Sequence, residues 1–155
     1  MRDEFSRVLR ELMRKDPKIH LLSMDAGENT FLNLKNEFPS KYLNTGVSEQ
    51  AIVGMASGMA LEGLKPYVYS ITPFILERPF EQVKLDLVEQ KANVKLVGYW
   101  DYPTAGPTHF TKDPRGLCKI LGIEFIEPEN SEETKIELIK EYGQIRPAFF
   151  YLKKK

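Results

Sequence analysis

The chain has 155 residues, a length typical of one domain of about 100–200 residues. Its 22 Lys+Arg balance 22 Asp+Glu, so it lacks the basic excess of a nucleic-acid-binding protein. One cysteine, Cys118, excludes a disulfide within the chain and a cysteine-based zinc site. Without a secretory signal or a membrane-spanning apolar run, we expect a cytoplasmic protein with neither nucleic acid nor membrane as partner. We interpret Lys153, Lys154 and Lys155 as a solvated tail.

The first half of the chain alternates helices with short strands. Apolar residues recur at helical spacing over 5–13, and Pro17 disfavours a helical conformation in the residue before it. Ser48 is a suitable N-cap for a long apolar helix that closes near Gly63. The remaining predicted elements of this half are strands over 19–22, 42–44 and 66–71 and helices over 31–38 and 49–61.

The second half continues the alternation. Thr72 is predicted to cap a helix that starts at Pro73 and runs towards Lys91, with a break or kink at Pro79. A loop over 100–114 is rich in Pro, Gly and Thr, and loops of this length are usually functional or disordered. The other predicted elements are strands over 93–99, 124–126 and 148–152 and helices over 115–121 and 132–142.

This alternation of strands and helices predicts the α/β class. We expect one three-layer α/β/α domain over residues 1–155, with a mostly parallel sheet covered by helices on both faces. Ligands of such folds bind at the carboxyl ends of the strands. The prediction therefore places a site among the loops at Asp25, 46–49, 71–74 and 100–109.

Glu49 is the most informative polar residue, because it opens a helix that is otherwise almost entirely small or apolar. One interpretation is a carboxylate that complements the helix dipole, worth about 0.3–1 kcal/mol. The other is an acid–base group held in a dry pocket. Small residues along the same helix would allow another backbone to approach closely, either from a partner chain or from the domain's own sheet.

Four stretches together carry a resemblance that covers essentially the whole chain. They are the segment 46–66 around Glu49, the segment 74–78 followed by Gln82, the strand 94–98, and Gly-Pro-Thr-His at 106–109. In order and spacing they resemble the pyrimidine-binding domain of transketolases and deoxyxylulose phosphate synthases. The resemblance implies the thiamine-diphosphate-binding fold and transfer of a two-carbon ketol unit between sugars or sugar phosphates.

The resemblance also implies roles for the residues around the cofactor. Glu49 would hydrogen-bond N1′ of the aminopyrimidine of thiamine diphosphate and favour the tautomer that activates the thiazolium carbon. Phe74 and Ile71 would lie against the pyrimidine ring, although Ile71 replaces the usual aromatic residue and both could simply pack in the core. Asp25 matches an acidic residue near the cofactor, and as a loop residue it could equally be a turn cap.

Two further residues match substrate positions of transketolases. His109 would contact the hydroxyls of the donor sugar, and Arg2 would bind a sugar phosphate. The alternatives are an ordinary surface histidine and a disordered terminal arginine.

The substrate loop departs from the family pattern. Thr104-Ala105 stands where transketolases carry an acidic pair, and 99–102 lacks their histidine. Asn29 replaces a serine often used for phosphate. These differences make the standard sugar phosphates doubtful substrates.

The sequence contains no Gly-Asp-Gly segment, which the family uses to bind the metal of the cofactor diphosphate. A hard cation needs several oxygen ligands at once. We therefore expect Mg²⁺ or Ca²⁺ to be held by a partner, a diphosphate-binding subunit of the transketolase N-terminal type. The chain ends at Lys155, where many transketolases continue. The expected assembly is a heterotetramer in which this chain is a split pyrimidine-binding subunit.

Two other functions remain open at this stage. One is a subunit of a thiamine-diphosphate-dependent 2-oxo acid decarboxylase or carboligase. The Gly-Pro-Thr-His segment argues against it, because that segment favours sugar chemistry. The other is a non-catalytic partner-binding module of the same fold. Retention of Glu49 near Phe74 argues against that module, because a binding module does not need an activating carboxylate.

Overall fold

A single six-stranded sheet organises the chain in a computed structural model that describes residues 1–100 and 102–154. The strand order is β2-β1-β3-β4-β6-β5, and every pairing between them is parallel. The strands are β1 (Ile19–Ser23), β2 (Tyr42–Asn44), β3 (Lys65–Ile71), β4 (Lys95–Tyr99), β5 (Glu124–Ile126) and β6 (Ala148–Leu152). The predicted α/β class with a mostly parallel sheet is confirmed.

Helices cover both faces of the sheet, because its central strands are apolar on both sides. The helices are α1 (Arg2–Lys15), α2 (Glu28–Glu37), α3 (Glu49–Leu61), α4 (Thr72–Leu76), α5 (Phe80–Gln82), α6 (Pro114–Leu121) and α7 (Ser131–Tyr142). Helices α1, α2 and α7 bury Phe5, Phe31 and Leu138 on one face. Helices α3, α4 and α6 pack on the other face. No helix among the described residues is long and apolar enough to cross a membrane.

The segment after β3 differs from the single kinked helix that we predicted. It forms α4, a break at residues 77–79, the short α5, and a π-helical stretch over Val83–Glu89. The break at Pro79 is confirmed, since proline cannot continue a helical hydrogen-bond ladder. Thr72 was wrongly predicted as the cap. It is the first residue of α4, and its hydroxyl donates to the carbonyl of Tyr99 at 3.2 Å.

Smaller differences concern helix starts. Helix α2 begins at Glu28, three residues before the predicted start, after Gly27 in a left-handed conformation with φ 76°. Ser48 does occupy the N-cap position of α3, but its hydroxyl donates to Thr45 instead of accepting from the helix.

The long loop that follows β4 contains two 3₁₀ turns, Pro103–Ala105 and Pro107–His109. The predicted loop includes Asp101, which lies outside the described residues. Helix α6 then starts at Pro114, capped by Asp113, whose carboxylate accepts from the amide of Gly116 at 2.8 Å. These turns give the loop a defined path along the carboxyl edge of the sheet.

The predicted solvated tail is not free along its whole length. Lys153 pairs with Glu127 at 2.9 Å and with Glu129 at 3.2 Å, so the tail is tied to the loop after β5. Lys155 lies outside the described residues.

A buried charge cluster lies at the amino end of β4 and β6. The Lys95 ammonium, on a residue 3% exposed, donates to the carbonyls of Gln144 at 3.2 Å and Arg146 at 2.5 Å. Glu141, on α7, lies 3.9 Å from Lys95 and accepts from Arg146 at 2.6 Å. Burial lowers the pKa of Lys95 to about 8, against the opposing attraction of Glu141.

Gly98 in β4 allows α4 to pack close to the sheet. A Cβ at this position would lie 2.5 Å from Cζ of Phe149 and 2.9 Å from the Thr72 hydroxyl. We expect Gly98→Ala to lower the free energy of unfolding in urea by about 1–3 kcal/mol, because overpacking forces neighbours to shift.

Gly58→Ala is the matched control for this substitution. Gly58 lies in α3 with nothing within 4 Å of a built Cβ, so the change should stabilise the fold by about 0.5–1 kcal/mol. Equal effects of the two substitutions would contradict the close packing at Gly98.

Candidate functional site

A cavity of about 340 Å³ opens at the carboxyl edge of the sheet, beside the ends of β1, β3 and β4. Its lining is mostly apolar and includes all six residues that the sequence singled out. These are Arg2, Asp25, Glu49, Ile71, Phe74 and His109. The parallel topology brings them together from separate elements, as expected for ligand sites of open α/β sheets.

Glu49 lies in the first turn of α3, with its side chain 12% exposed. Its carboxylate forms a short ion pair with Nη1 of Arg78 from the segment after α4. The helix start supplies a favourable dipole for the carboxylate, as one of the two sequence interpretations held. The carboxylate also lines the cavity, as the other interpretation requires.

Phe74 presents a ring next to this carboxylate. It lies in α4, which follows directly from Ile71 at the end of β3. The Arg78 guanidinium lies over the Phe74 ring, with Cζ 3.7 Å from the ring centroid. The ring of His109 contacts Phe74 edge to face, at 4.9 Å between centroids. Phe74 is partly buried against the core, so packing and a cavity-facing position coexist.

Asp25 holds the loop after β1. Its φ of 50° is left-handed, which Asp tolerates better than most residues. Its carboxylate accepts from the Asn44 side-chain amide at 2.8 Å. The Asn44 carbonyl oxygen accepts in return from the amides of Asp25 at 3.2 Å and Gly46 at 3.0 Å. Asp25 therefore has the turn role that the sequence left open, and it lines the cavity as well.

Arg2 is ordered as the first residue of α1, so the alternative of a disordered terminus is wrong. Its Cζ lies 4.7 Å from the centroid of the Tyr99 ring, and its guanidinium interacts electrostatically with the Tyr69 hydroxyl. The two tyrosine rings stack at 6.5 Å between centroids. Burial raises the pKa of Tyr69 above its ordinary value, although Arg2 acts in the opposite direction. A permanent cation is thus held on an aromatic surface at the cavity wall.

His109 ends the second 3₁₀ turn of the long loop. Its Nδ1 lies 3.0 Å from the Thr108 hydroxyl, and its carbonyl accepts from the amide of Tyr102 at 2.8 Å. Together with its contact to Phe74, these bonds fix the imidazole at the cavity. The structure therefore places His109 at the cavity, with its ring held by neighbouring residues, unlike an ordinary surface histidine.

The model of the transketolase pyrimidine-binding domain family matches residues 1–155. The chain belongs to this family. Its curated relatives include a subunit of the apulose-4-phosphate transketolase of Phocaeicola vulgatus, which is 32% identical over 92% of this chain and 48% of its own length. A 6-deoxy-6-sulfo-D-fructose transketolase subunit of Clostridium sp. strain MSTE9 is 29% identical over 87% of this chain and 44% of its own length. The chain thus spans about half the length of these relatives.

Solved structures show the same fold for this transketolase-family domain. A split-gene transketolase described as an inactive β4 tetramer superposes with a TM-score of 0.89 at 24% identity, covering 99% of this chain and 50% of that chain. Transketolase from Campylobacter jejuni superposes with a TM-score of 0.83 at 18% identity, covering 99% of this chain and 25% of that chain.

Several residues of this transketolase-family site were not assigned a role from the sequence, among them Arg78, Tyr69 and Tyr102. Arg78 lies at the end of the segment 74–78, but no spacing rule pairs it with Glu49 across 29 positions. In sequence, Tyr69 is an ordinary aromatic strand residue and Tyr102 a loop residue, yet both line the cavity. Aromatic enrichment at the ends of β3 and β4 was the one available signal.

The donor set determines which parts of a cofactor this domain can bind. An aromatic ring and a carboxylate at the same cavity fit an aminopyrimidine. Among residues 1–100 and 102–154, no group of three or more His, Cys, Asp or Glu side chains could hold a metal ion. The described residues therefore fit the pyrimidine end of thiamine diphosphate.

Proposed function

We propose that this chain is the pyrimidine-binding subunit of a split, thiamine-diphosphate-dependent transketolase. It would transfer a two-carbon ketol unit between sugars or sugar phosphates. The observation that carries the proposal is the Glu49 carboxylate, 12% exposed, at the same cavity as the Phe74 ring in a member of the transketolase family. The 1-deoxy-D-xylulose-5-phosphate synthase of Clostridium kluyveri, 38% identical over 54% of this chain, is a further relative named for sugar-phosphate chemistry.

In this proposal the residues of the chain hold the pyrimidine and control one proton. Phe74 and Ile71 offer apolar surface to the ring, and Asp25 lies at the same cavity wall. Glu49 would hold a proton at N1′ and return it, which is the task of a positioned acid–base group. When bound, the cofactor supplies a nucleophilic carbon and accepts the electrons of the cleaved carbon–carbon bond.

Other residues of the same cavity suit a hydroxylated, anionic substrate. His109 presents an imidazole for sugar hydroxyls, and the Arg2 guanidinium is suited to phosphate or a similar anion. Two relatives are named for substrates with such groups, a phosphate in one and a sulfo group in the other. We propose that Arg2 binds the anionic substituent of the sugar.

The partner in this proposal is a diphosphate-binding subunit of the transketolase N-terminal type, which would hold Mg²⁺ or Ca²⁺ and assemble with this chain as a heterotetramer in the cytoplasm. Helix α3 offers a candidate contact surface for this partner subunit. Ile52, Val53 and Ala56 pack against the domain's own sheet, whereas Ala51 and Met55 are exposed. One face of the helix thus packs internally, and the other remains available to a partner.

The test is the mass and thiamine diphosphate binding of this chain, alone and co-expressed with a diphosphate-binding transketolase subunit. We expect a defined hetero-oligomer with Mg²⁺-dependent cofactor binding only in the mixture. Transfer from a ketose donor then supports the transketolase assignment, whereas exclusive use of a 2-oxo acid identifies the decarboxylase alternative. Failure of both samples to bind cofactor would support a non-catalytic module.

His109→Ala is expected to lower kcat/KM for the ketose by about 10–100-fold, since contacts with sugar hydroxyls would be lost. Exchange of the cofactor C2 proton, followed by NMR, should persist, because that step does not require the sugar. His20→Ala is the matched control. His20 lies on β1 and its ring contacts the carbonyl of Lys18, so the control should leave both readouts unchanged. A loss of C2 exchange in His109→Ala would contradict the assigned role.

A further inference from the structure

Arg78 occupies both of the contacts that an aminopyrimidine would need. One amino group of its guanidinium pairs with the Glu49 carboxylate, and its Cζ lies 3.7 Å over the Phe74 ring. A guanidinium is planar and cationic, stacks on aromatic rings and donates hydrogen bonds to carboxylates. In both shape and donor pattern it therefore resembles an aminopyrimidine protonated at its ring nitrogen.

The position of Arg78 also allows the side chain to leave. Arg78 lies in the break between α4 and α5, next to Pro79, and its side chain is 38% exposed. An outer groove of about 510 Å³ borders the Glu49–Arg78 pair, and Arg78 lines this groove together with Ser48, Gln50 and Ala51. This groove gives the guanidinium room to move without repacking of the core.

We infer that Arg78 is an internal competitor for the pyrimidine site, which must release Glu49 and Phe74 before the cofactor can bind. The inference rests on the proposed function and deepens it, since it assigns control of the same site to a named side chain. In the free chain, only the fraction of molecules with Arg78 displaced is competent to bind. The apparent affinity for a pyrimidine is lowered by that fraction.

The experiment measures binding of thiamine, and of its isolated aminopyrimidine half, to the full chain by calorimetry and by NMR of the Phe74 ring. We expect Arg78→Ala to bind both probes about tenfold more tightly than the unsubstituted chain, equivalent to about 1.4 kcal/mol. Arg78→Lys should lie between the two, because an ammonium retains the charge but not the planar, stacking group.

Arg115→Ala is the matched control variant. Arg115 also lies over an aromatic ring, with Cζ 4.6 Å from the Phe125 centroid, and it pairs with Glu127 at 2.6 Å. Its partners are Phe125 and Glu127 rather than Phe74 and Glu49, so its removal reports any general effect of losing a stacked, paired arginine. We expect the affinity of this variant for both probes to equal that of the unsubstituted chain.

The outcomes separate this inference from the proposed function. If the unsubstituted chain binds the probes and Arg78→Ala binds them equally well or more weakly, the competitor role is overturned while the pyrimidine site is kept. Absence of binding and of any Phe74 shift in every variant would overturn the competitor role, whereas the proposed function would fail only if the co-expressed mixture also bound no cofactor. Tighter binding in Arg78→Ala, with no change in Arg115→Ala, supports both.

Discussion

Glu49→Gln is expected to lower turnover of the reconstituted enzyme by about 10²–10⁴-fold, the range typical of a lost proton-transfer group. Glutamine keeps the size and hydrogen-bonding reach of the side chain, but it cannot hold and return a proton at N1′. Exchange of the cofactor C2 proton, measured by NMR, should slow by a similar factor. The fold should persist, because the side chain lies at a cavity wall rather than within the core.

Glu62→Gln provides the control for this experiment. Glu62 follows the same helix α3 at its opposite end and is exposed, so its neutralisation should leave turnover unchanged. Circular dichroism and hetero-oligomer mass would verify that both variants fold and assemble. Near-normal turnover of Glu49→Gln would refute the catalytic assignment.

Glu141→Leu is expected to lower the free energy of unfolding by about 3–5 kcal/mol, as for other broken buried ion pairs. Glu141 is 1% exposed and pairs with Arg146 at 2.6 Å, with the Lys95 ammonium 3.9 Å away. Its removal leaves the buried ammonium without a counter-charge. Urea unfolding monitored by circular dichroism measures the loss.

Glu137→Leu serves as the comparison on the same helix. Glu137 pairs with Lys140 at 3.0 Å on the surface of α7, and such exposed pairs contribute about 0–1 kcal/mol. The difference between the two variants isolates the effect of burial. Similar losses in both would show that the Lys95–Glu141–Arg146 cluster does not stabilise the fold beyond a surface pair.

Much of the fold could be predicted from local pattern. The strands are apolar on both faces and the helices are separated by Pro and Gly, so the type and order of most elements in the described residues were confirmed. The segment after β3 was less predictable. The break at Pro79 was predicted, but the π-helical stretch was not, because it involves tertiary contacts such as the bond from the Ser57 hydroxyl to the carbonyl of Asp86 at 2.7 Å.

The candidate site divides in the same way. The residues that line the cavity could be predicted from the loops at the carboxyl ends of the strands. Asp25, Ile71 and His109 therefore lie together as expected. The pairing of Arg78 with Glu49 did not follow, because it depends on the path of the chain after the helix break. The contacts of Arg2 with Tyr69 and Tyr99 likewise depend on how α1 packs, which the sequence pattern does not specify.

The all-parallel order of the described strands has a kinetic consequence. Each pairing, including Leu96 with Phe149 between β4 and β6, needs a crossover before its first hydrogen bond can form. Folding therefore depends on closing long loops, and we expect it to be slow for a chain of this size. Once folded, the sheet ends on β2 and β5, each only three residues long. Such short edges offer little template for aggregation with other chains.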